Sequence, residues 1–182
     1  PLLHDVKKWG EWVLKEAKKE IGRFYPEDDD GSIPVGYIWA RTISCQNPSC
    51  GAEIPLMRQY WLARKANKSV SLFPFVEDGV VKFKVVGTGY EEMPTNFDPE
   101  KGTVSRAVAV CQVCGSTIDA KTTRRLFQEG KAGQRMIAVV LHKGNSGLGI
   151  RNSGKRYRVA TEKDLEIFRE AEIYLKEKRE KL

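Results

Sequence analysis

Two distant pairs of cysteines constrain this chain more than any other feature. Cys45 and Cys50 bracket Gln-Asn-Pro-Ser and are followed by Gly51, whereas Cys111 and Cys114 bracket Gln-Val and are followed by Gly115. Sixty residues lie between the pairs, so whatever joins them closes a long loop. The short spacing lets both sulfurs of a pair face one point. The glycine after each second cysteine suits a tight turn with positive φ. Strand-like residues flank both pairs: Tyr37–Ser44 and Ala52–Ile54 around the first, Val104–Val110 and Ser116–Ile118 around the second.

Four soft thiolates brought together tetrahedrally suit Zn²⁺, with Zn–S distances of about 2.3 Å. Cys45, Cys50, Cys111 and Cys114 are therefore the expected ligands, and two hairpin-like knuckles pinching one ion form a zinc-ribbon arrangement. Other uses of cysteine explain less. Disulfides suit secreted chains, a redox Cys-x-x-Cys at Cys111/Cys114 leaves Cys45 and Cys50 idle, and an iron–sulfur cluster fits the knuckle-glycine spacing less well. A four-thiolate site is closed to water and substrate, so the expected metal is structural rather than catalytic.

With 182 residues, 41% of them apolar and 9% aromatic, the chain can build a core, and a single domain over residues 1–182 is expected. No apolar run nears the roughly 20 residues that span a bilayer. The first 25 residues are charged throughout and lack a small-residue cleavage site. A cytoplasmic protein without a membrane partner is the expectation. The start at Pro1, with no initiator Met, suggests a piece of something longer.

The pattern along the chain predicts an α+β fold. Residues 1–26 hold an amphipathic helix, with Leu2, Val6, Trp9, Val13, Ala17, Ile21 and Phe24 at three- and four-residue intervals and Tyr25-Pro26 ending it. Residues 34–118 form the zinc ribbon, entered by a strand over 34–44. Within it, 55–60 reads as a helical turn opened by Pro55, and a β-meander occupies 60–86 with Asp78-Gly79 as a hairpin turn. Residues 87–103 read as connector. Residues 119–182 form a basic α/β part: a helix capped by Asp119 over 120–129, strands over 134–141 and 156–159, and a last helix opened by Thr161-Glu-Lys-Asp164 with Leu165, Phe168 and Leu175 inward. The zinc ribbon is thus flanked by N- and C-terminal helices.

The net charge is +7, and its distribution is uneven. Between residues 101 and 160 twelve Lys and Arg face only Asp119 and Glu129, a surplus of ten. Lys121, Arg124, Arg125 and Gln128 share a helix face by their spacing. Together with Lys131, Arg135, Lys155, Arg156 and Arg158 they are the candidate nucleic-acid contacts, since such a stripe neutralises phosphates and makes binding salt-sensitive. Three other features carry no site. Gly149–Arg156 almost spells a phosphate-binding loop but ends in Arg where Ser or Thr must hold Mg²⁺. Asp28-Asp29-Asp30 reads as a solvated acidic run, and His4 and His142 lack ligand-like neighbours.

The order of motifs resembles adenine-specific DNA methylases that contain a zinc ribbon. The residues that carry the likeness are Asp5-Val6, Gly10-Glu11-Trp12-Val13, Ile21-Gly22 through Tyr25-Pro26, and Trp39-Ala40-Arg41-Thr42 leading into Cys45. They continue with Asn47-Pro48-x-Cys50-Gly51-Ala52, Pro55-Leu56, Cys111-x-x-Cys114-Gly115 and Gly154-Lys155-x-Tyr157-Arg158. The resemblance implies a prokaryotic parent enzyme that transfers a methyl group from S-adenosylmethionine to N6 of adenine in DNA. Neither a cofactor loop nor an Asn/Asp-Pro-Pro-Tyr/Phe loop is present, so no catalytic residue carries over. The expectation is a non-catalytic, structural-zinc region that aids DNA binding or target recognition. The alternative is a structural insert or docking module for the catalytic domain of the same polypeptide or for a partner protein, without DNA contact.

Overall fold

The computed structural model describes residues 2–143 and 154–181. It is a mixed α/β chain with helices at both ends and antiparallel sheets between them. The elements in order are α1 (Leu2–Ile21) with a 3₁₀ turn over Gly22–Phe24, β1 (Ser32–Ser44), β2 (Glu53–Leu56), β3 (Trp61–Lys65), β4 (Lys68–Glu77) and β5 (Val80–Gly87). Then follow β6 (Val104–Ser105), β7 (Val108–Val110), β8 (Thr117–Ile118), α2 (Ala120–Gln128), β9 (Gly133–Lys143), β10 (Arg156–Val159) and α3 (Glu162–Glu180). One sheet has the order β10-β9-β1-β2, a second β3-β4-β5 and a third β6-β7-β8. The near phosphate-loop sequence and Arg151 fall largely outside the described residues.

The chain divides into two compact units. The first comprises Pro1–Gly36, Val140–Arg156 and Ala160–Leu182. Its helices meet through Phe24 and Tyr174, whose rings lie 5.5 Å apart, while the Tyr174 hydroxyl donates to Glu20 at 2.6 Å and Lys178 pairs with the same carboxylate. α3 opens on a capping box in which the buried Asp164 carboxylate accepts from Thr161 N and Oγ1 at 2.7 and 2.8 Å. Leu175, expected inward, is 52% exposed. By that turn α3 has little beside it to bury a side chain against except the end of α1.

The second unit comprises Tyr37–Val139 and Tyr157–Val159 and holds two cores. Ala40, Tyr60, Leu72, Val81, Phe83, Ile137 and Ala138 form one. Here β4 and β5 pair from Val70↔Gly87 to Glu77↔Val80, closed by Asp78 (φ 52°) and Gly79 (φ 74°), as the Asp-Gly signal requires. Ile43, Ile54, Ala109, Ile118 and Leu126 form the other, together with Cys45 and Cys111. Two local expectations are corrected in this second region. Pro55 opens no helical turn but sits inside β2, opposite Thr42; β2 is an edge strand, where a residue without an N–H is tolerated. Residues 104–110 are not one strand but a hairpin, β6–β7, reversed at Arg106 (φ 49°) and Ala107 (φ 66°).

Candidate metal centre and basic face

The four cysteines converge. Their sulfurs all lie within 4.8 Å of one another, with Cys45 to Cys114 at 3.6 Å and Cys50 to Cys111 at 3.8 Å. All four are free thiols, far beyond the roughly 2.05 Å of a disulfide. Each pair is shaped by backbone hydrogen bonds. In the first loop Cys45 N donates to Ala52 O at 2.8 Å, and Cys50 N and Gly51 N both donate to Asn47 O. In the second, Cys111 N donates to Ser116 O and Gly115 N to Cys111 O, both at 2.9 Å. Gly51 (φ 60°) and Gly115 (φ 75°) take the left-handed conformation that lets each loop return on its strand.

What brings the second loop to the first is the segment 98–110. Thr103 is buried and its hydroxyl donates to Pro55 O at 2.5 Å while accepting from Met57 N at 2.9 Å. Gly102 N donates to Arg58 O at 3.1 Å, Val104 N to Met57 O at 3.2 Å, and Val110 N to Thr103 O at 2.9 Å. The connector is thereby fastened to the chain just beyond β2, and β7 is delivered beside the first loop. No motif marks Gly102 or Thr103; the only available signal was two small residues at the end of a proline- and glycine-bearing stretch.

The thiols differ in character. Burial pushes Cys45 up to about 12. The Ala52 backbone favours the ionised form of Cys50, but burial and the neighbouring thiols outweigh it and raise that group too. Cys114 is exposed and lowered to about 6, first by the Ser116 hydroxyl 3.2 Å away and then by the Ser116 backbone. Asn47 Nδ2 also approaches the Cys114 sulfur at 3.8 Å and bonds Ser116 Oγ at 3.4 Å. One sulfur is thus ready as a thiolate, while that of Cys45 needs a cation beside it to ionise. Four such donors at this spacing could hold a metal ion.

The basic candidates differ in what they engage. On α2, Asp119 caps the helix by accepting from Thr122 N at 2.9 Å, Thr123 and Leu126 turn inward, and Lys121, Arg124, Arg125 and Gln128 are exposed. Arg125 faces Glu129 at 3.8 Å and Lys131 binds it at 2.8 Å. A polar cleft of about 620 Å³ lies there, lined by Ser44, Gln46, Arg125, Leu126, Glu129 and Lys131. The Glu129 carboxylate and the negative end of α2 both disfavour an anion in that cleft. Arg135 donates to Val81 O at 2.9 Å, approaches Glu53 at 3.6 Å and lies over Phe83. Arg156 pairs with Asp30, which removes that aspartate from a purely solvated run. Arg158 donates to Val159 O at 3.3 Å, and Lys155 is exposed.

Among the described residues, Lys121 and Arg124 alone of the eight candidates make no ion pair or side-chain hydrogen bond. Beside them stands a pair the sequence reading passed over. Arg41, exposed on β1, stacks over the exposed ring of Phe127 with the guanidinium 5.3 Å from the centroid. Arg124, one turn before Phe127 on α2, stands next to this aromatic–guanidinium stack and Lys121 one turn further back carries a second free cation, on a helix whose other face packs in the core that holds Cys45 and Cys111.

Among the described residues no helix is long and apolar enough to cross a membrane. The chain matches no protein-family model, and neither a curated protein nor a solved structure matches it.

Proposed function

We propose that this chain is a non-catalytic, structural-zinc region of an adenine-specific DNA methyltransferase, built as a zinc ribbon, and that it helps the parent enzyme hold its DNA target. The observation that carries the metal reading is the sulfur geometry. A tetrahedron with Zn–S of about 2.3 Å has edges of about 3.8 Å, and two of the sulfur pairs lie at 3.6 and 3.8 Å. Cys45, Cys50, Cys111 and Cys114 would hold the ion, and bound there it supplies cross-linking rather than Lewis-acid chemistry, since no position stays open. The resemblance of the Trp39–Cys45 and Asn47–Ala52 segments supports the methylase parentage, with S-adenosylmethionine and the reacting adenine handled by the catalytic part of that parent.

The exposed side of α2, with Lys121, Arg124, Gln128 and the Arg41–Phe127 stack, supports DNA contact. Phosphate neutralisation there releases counterions, so affinity for a short duplex falls as salt rises. Anisotropy titrations at two salt concentrations test this. Replacing Lys121 and Arg124 by Glu should weaken binding to every duplex sequence alike and shrink the salt slope by about 2. A chain loaded with one zinc per molecule that has no affinity for DNA even at low salt removes the DNA reading and leaves the structural one.

A further inference from the structure

α1 is out of keeping with the rest of the molecule. Leu2, Val6, Trp9 and Val13 form a seam at alternating spacings of four and three residues, bordered by Leu3 and Leu14, yet no residue of α1 is buried. These six side chains are 78, 61, 58, 55, 69 and 72% exposed in the order given. Only the end of the helix is engaged, where Ala17, Glu20 and Ile21 line a groove of about 930 Å³ with Tyr174 and Leu175 of α3. Trp9 meets Trp12 of its own helix edge-on, with ring centroids 6.0 Å apart, but the first three turns of the stripe are covered by no other element among the described residues.

We propose that a second copy of the chain covers this stripe, the two α1 helices packing in parallel about a two-fold axis. The surface available fits: the six side chains expose on the order of 700 Å² per chain, against the roughly 800 Å² per partner buried in a specific stable interface. The spacing fits as well. Two, six, nine and thirteen fall on the a and d positions of a heptad, so in a parallel pair Leu2, Val6, Trp9 and Val13 each meet their own counterpart. A Cβ added at Gly10 would have nothing within 4 Å, so the backbone on that flank is free for close approach.

The next position of the repeat is Glu16, which engages Lys19 on its own helix at 2.7 Å, so the proposed seam stops at Val13.

Sedimentation equilibrium of the metal-loaded chain over a wide concentration range tests the pairing. The expected mass is twice 20.6 kDa, reverting to one chain for Val6→Glu and for Trp9→Glu. Both substitutions lie on a solvent-facing helix surface and should leave metal content and far-ultraviolet dichroism unchanged. Val6→Cys and Val13→Cys, oxidised mildly, should each cross-link to themselves. A wild-type chain that stays monomeric throughout overturns the proposal and gives the stripe to another segment of the parent. So does a monomer that binds lipid vesicles through Trp9. A dimer in which neither cysteine variant cross-links overturns the parallel arrangement.

Discussion

A Cβ added at Gly102 would stand 1.9 Å from the Met57 carbonyl oxygen and 2.6 Å from that of Arg58. Both obstacles are backbone, so a side chain at this position forces the connector away from the strand end it is bonded to. Thr103, the next residue, supplies the hydroxyl that ties Pro55 and Met57, and it would move with its neighbour. Gly102→Ala is expected to cost about 1–3 kcal/mol, the range of an overpacked core site. It should also loosen metal retention, because the displaced segment is the one that carries Cys111. A thermal melt together with zinc transfer to a chelating dye measures both. A variant with lowered melting temperature and unaltered transfer would mean that the connector stabilises the unit without positioning the ligands. At this scale the cysteines were legible because the chemistry of metal binding demands particular residue types at short spacing. Gly102 and Thr103 were not, since a backbone close approach leaves no trace in composition or periodicity.

Among the secondary elements, those with a strong period were readable in advance. α1 and the β3-β4-β5 meander follow from helical spacing, apolar runs and the Asp78-Gly79 turn. The β6–β7 hairpin did not follow, because its turn is made by Arg106 and Ala107, residue types that give no hint of positive φ. Only the end of β2 was misread, because Pro55 is favourable both in a first helical turn and on a sheet edge, and only pairing with β1 decides between them. The capping box of α3 was legible and invites a test. Asp164→Ala strips the acceptor from Thr161 N and Oγ1 at a buried position. A loss of about 1 kcal/mol is expected, as for other helix caps. Faster amide exchange confined to the first turn of α3 would report it, and unchanged exchange there would show that the box contributes nothing.

For the whole molecule, the linear charge sum was a poor guide to the surface. The surplus of ten between residues 101 and 160 is reduced by acids from elsewhere: Asp30 takes Arg156 and Glu53 lies beside Arg135, while Glu129 within the stretch serves both Arg125 and Lys131. Only folding decides which charges remain free. The same long-range logic governs what a metal held by the four cysteines would do. The ion would join two loops sixty residues apart, and its ligands Cys45 and Cys111 are themselves members of the Ile43–Ile54–Ala109–Ile118–Leu126 core. Apart from the end of β1, which supplies Ile43, that core is made of two- to four-residue strands plus one helix, so it has few long ladders to hold it together. The Ala40–Tyr60–Leu72–Val81–Phe83 core rests instead on the continuous ladder between β4 and β5. Removing the metal with a chelator should therefore not melt the chain evenly. Amides of β7, β8 and α2 should lose protection first, while those of β4 and β5 persist, and Cys45→Ser should reproduce the pattern without chelator. Hydrogen exchange followed residue by residue distinguishes this from the alternative. Equal loss across both cores would mean the metal closes the entire second unit rather than the core its ligands belong to.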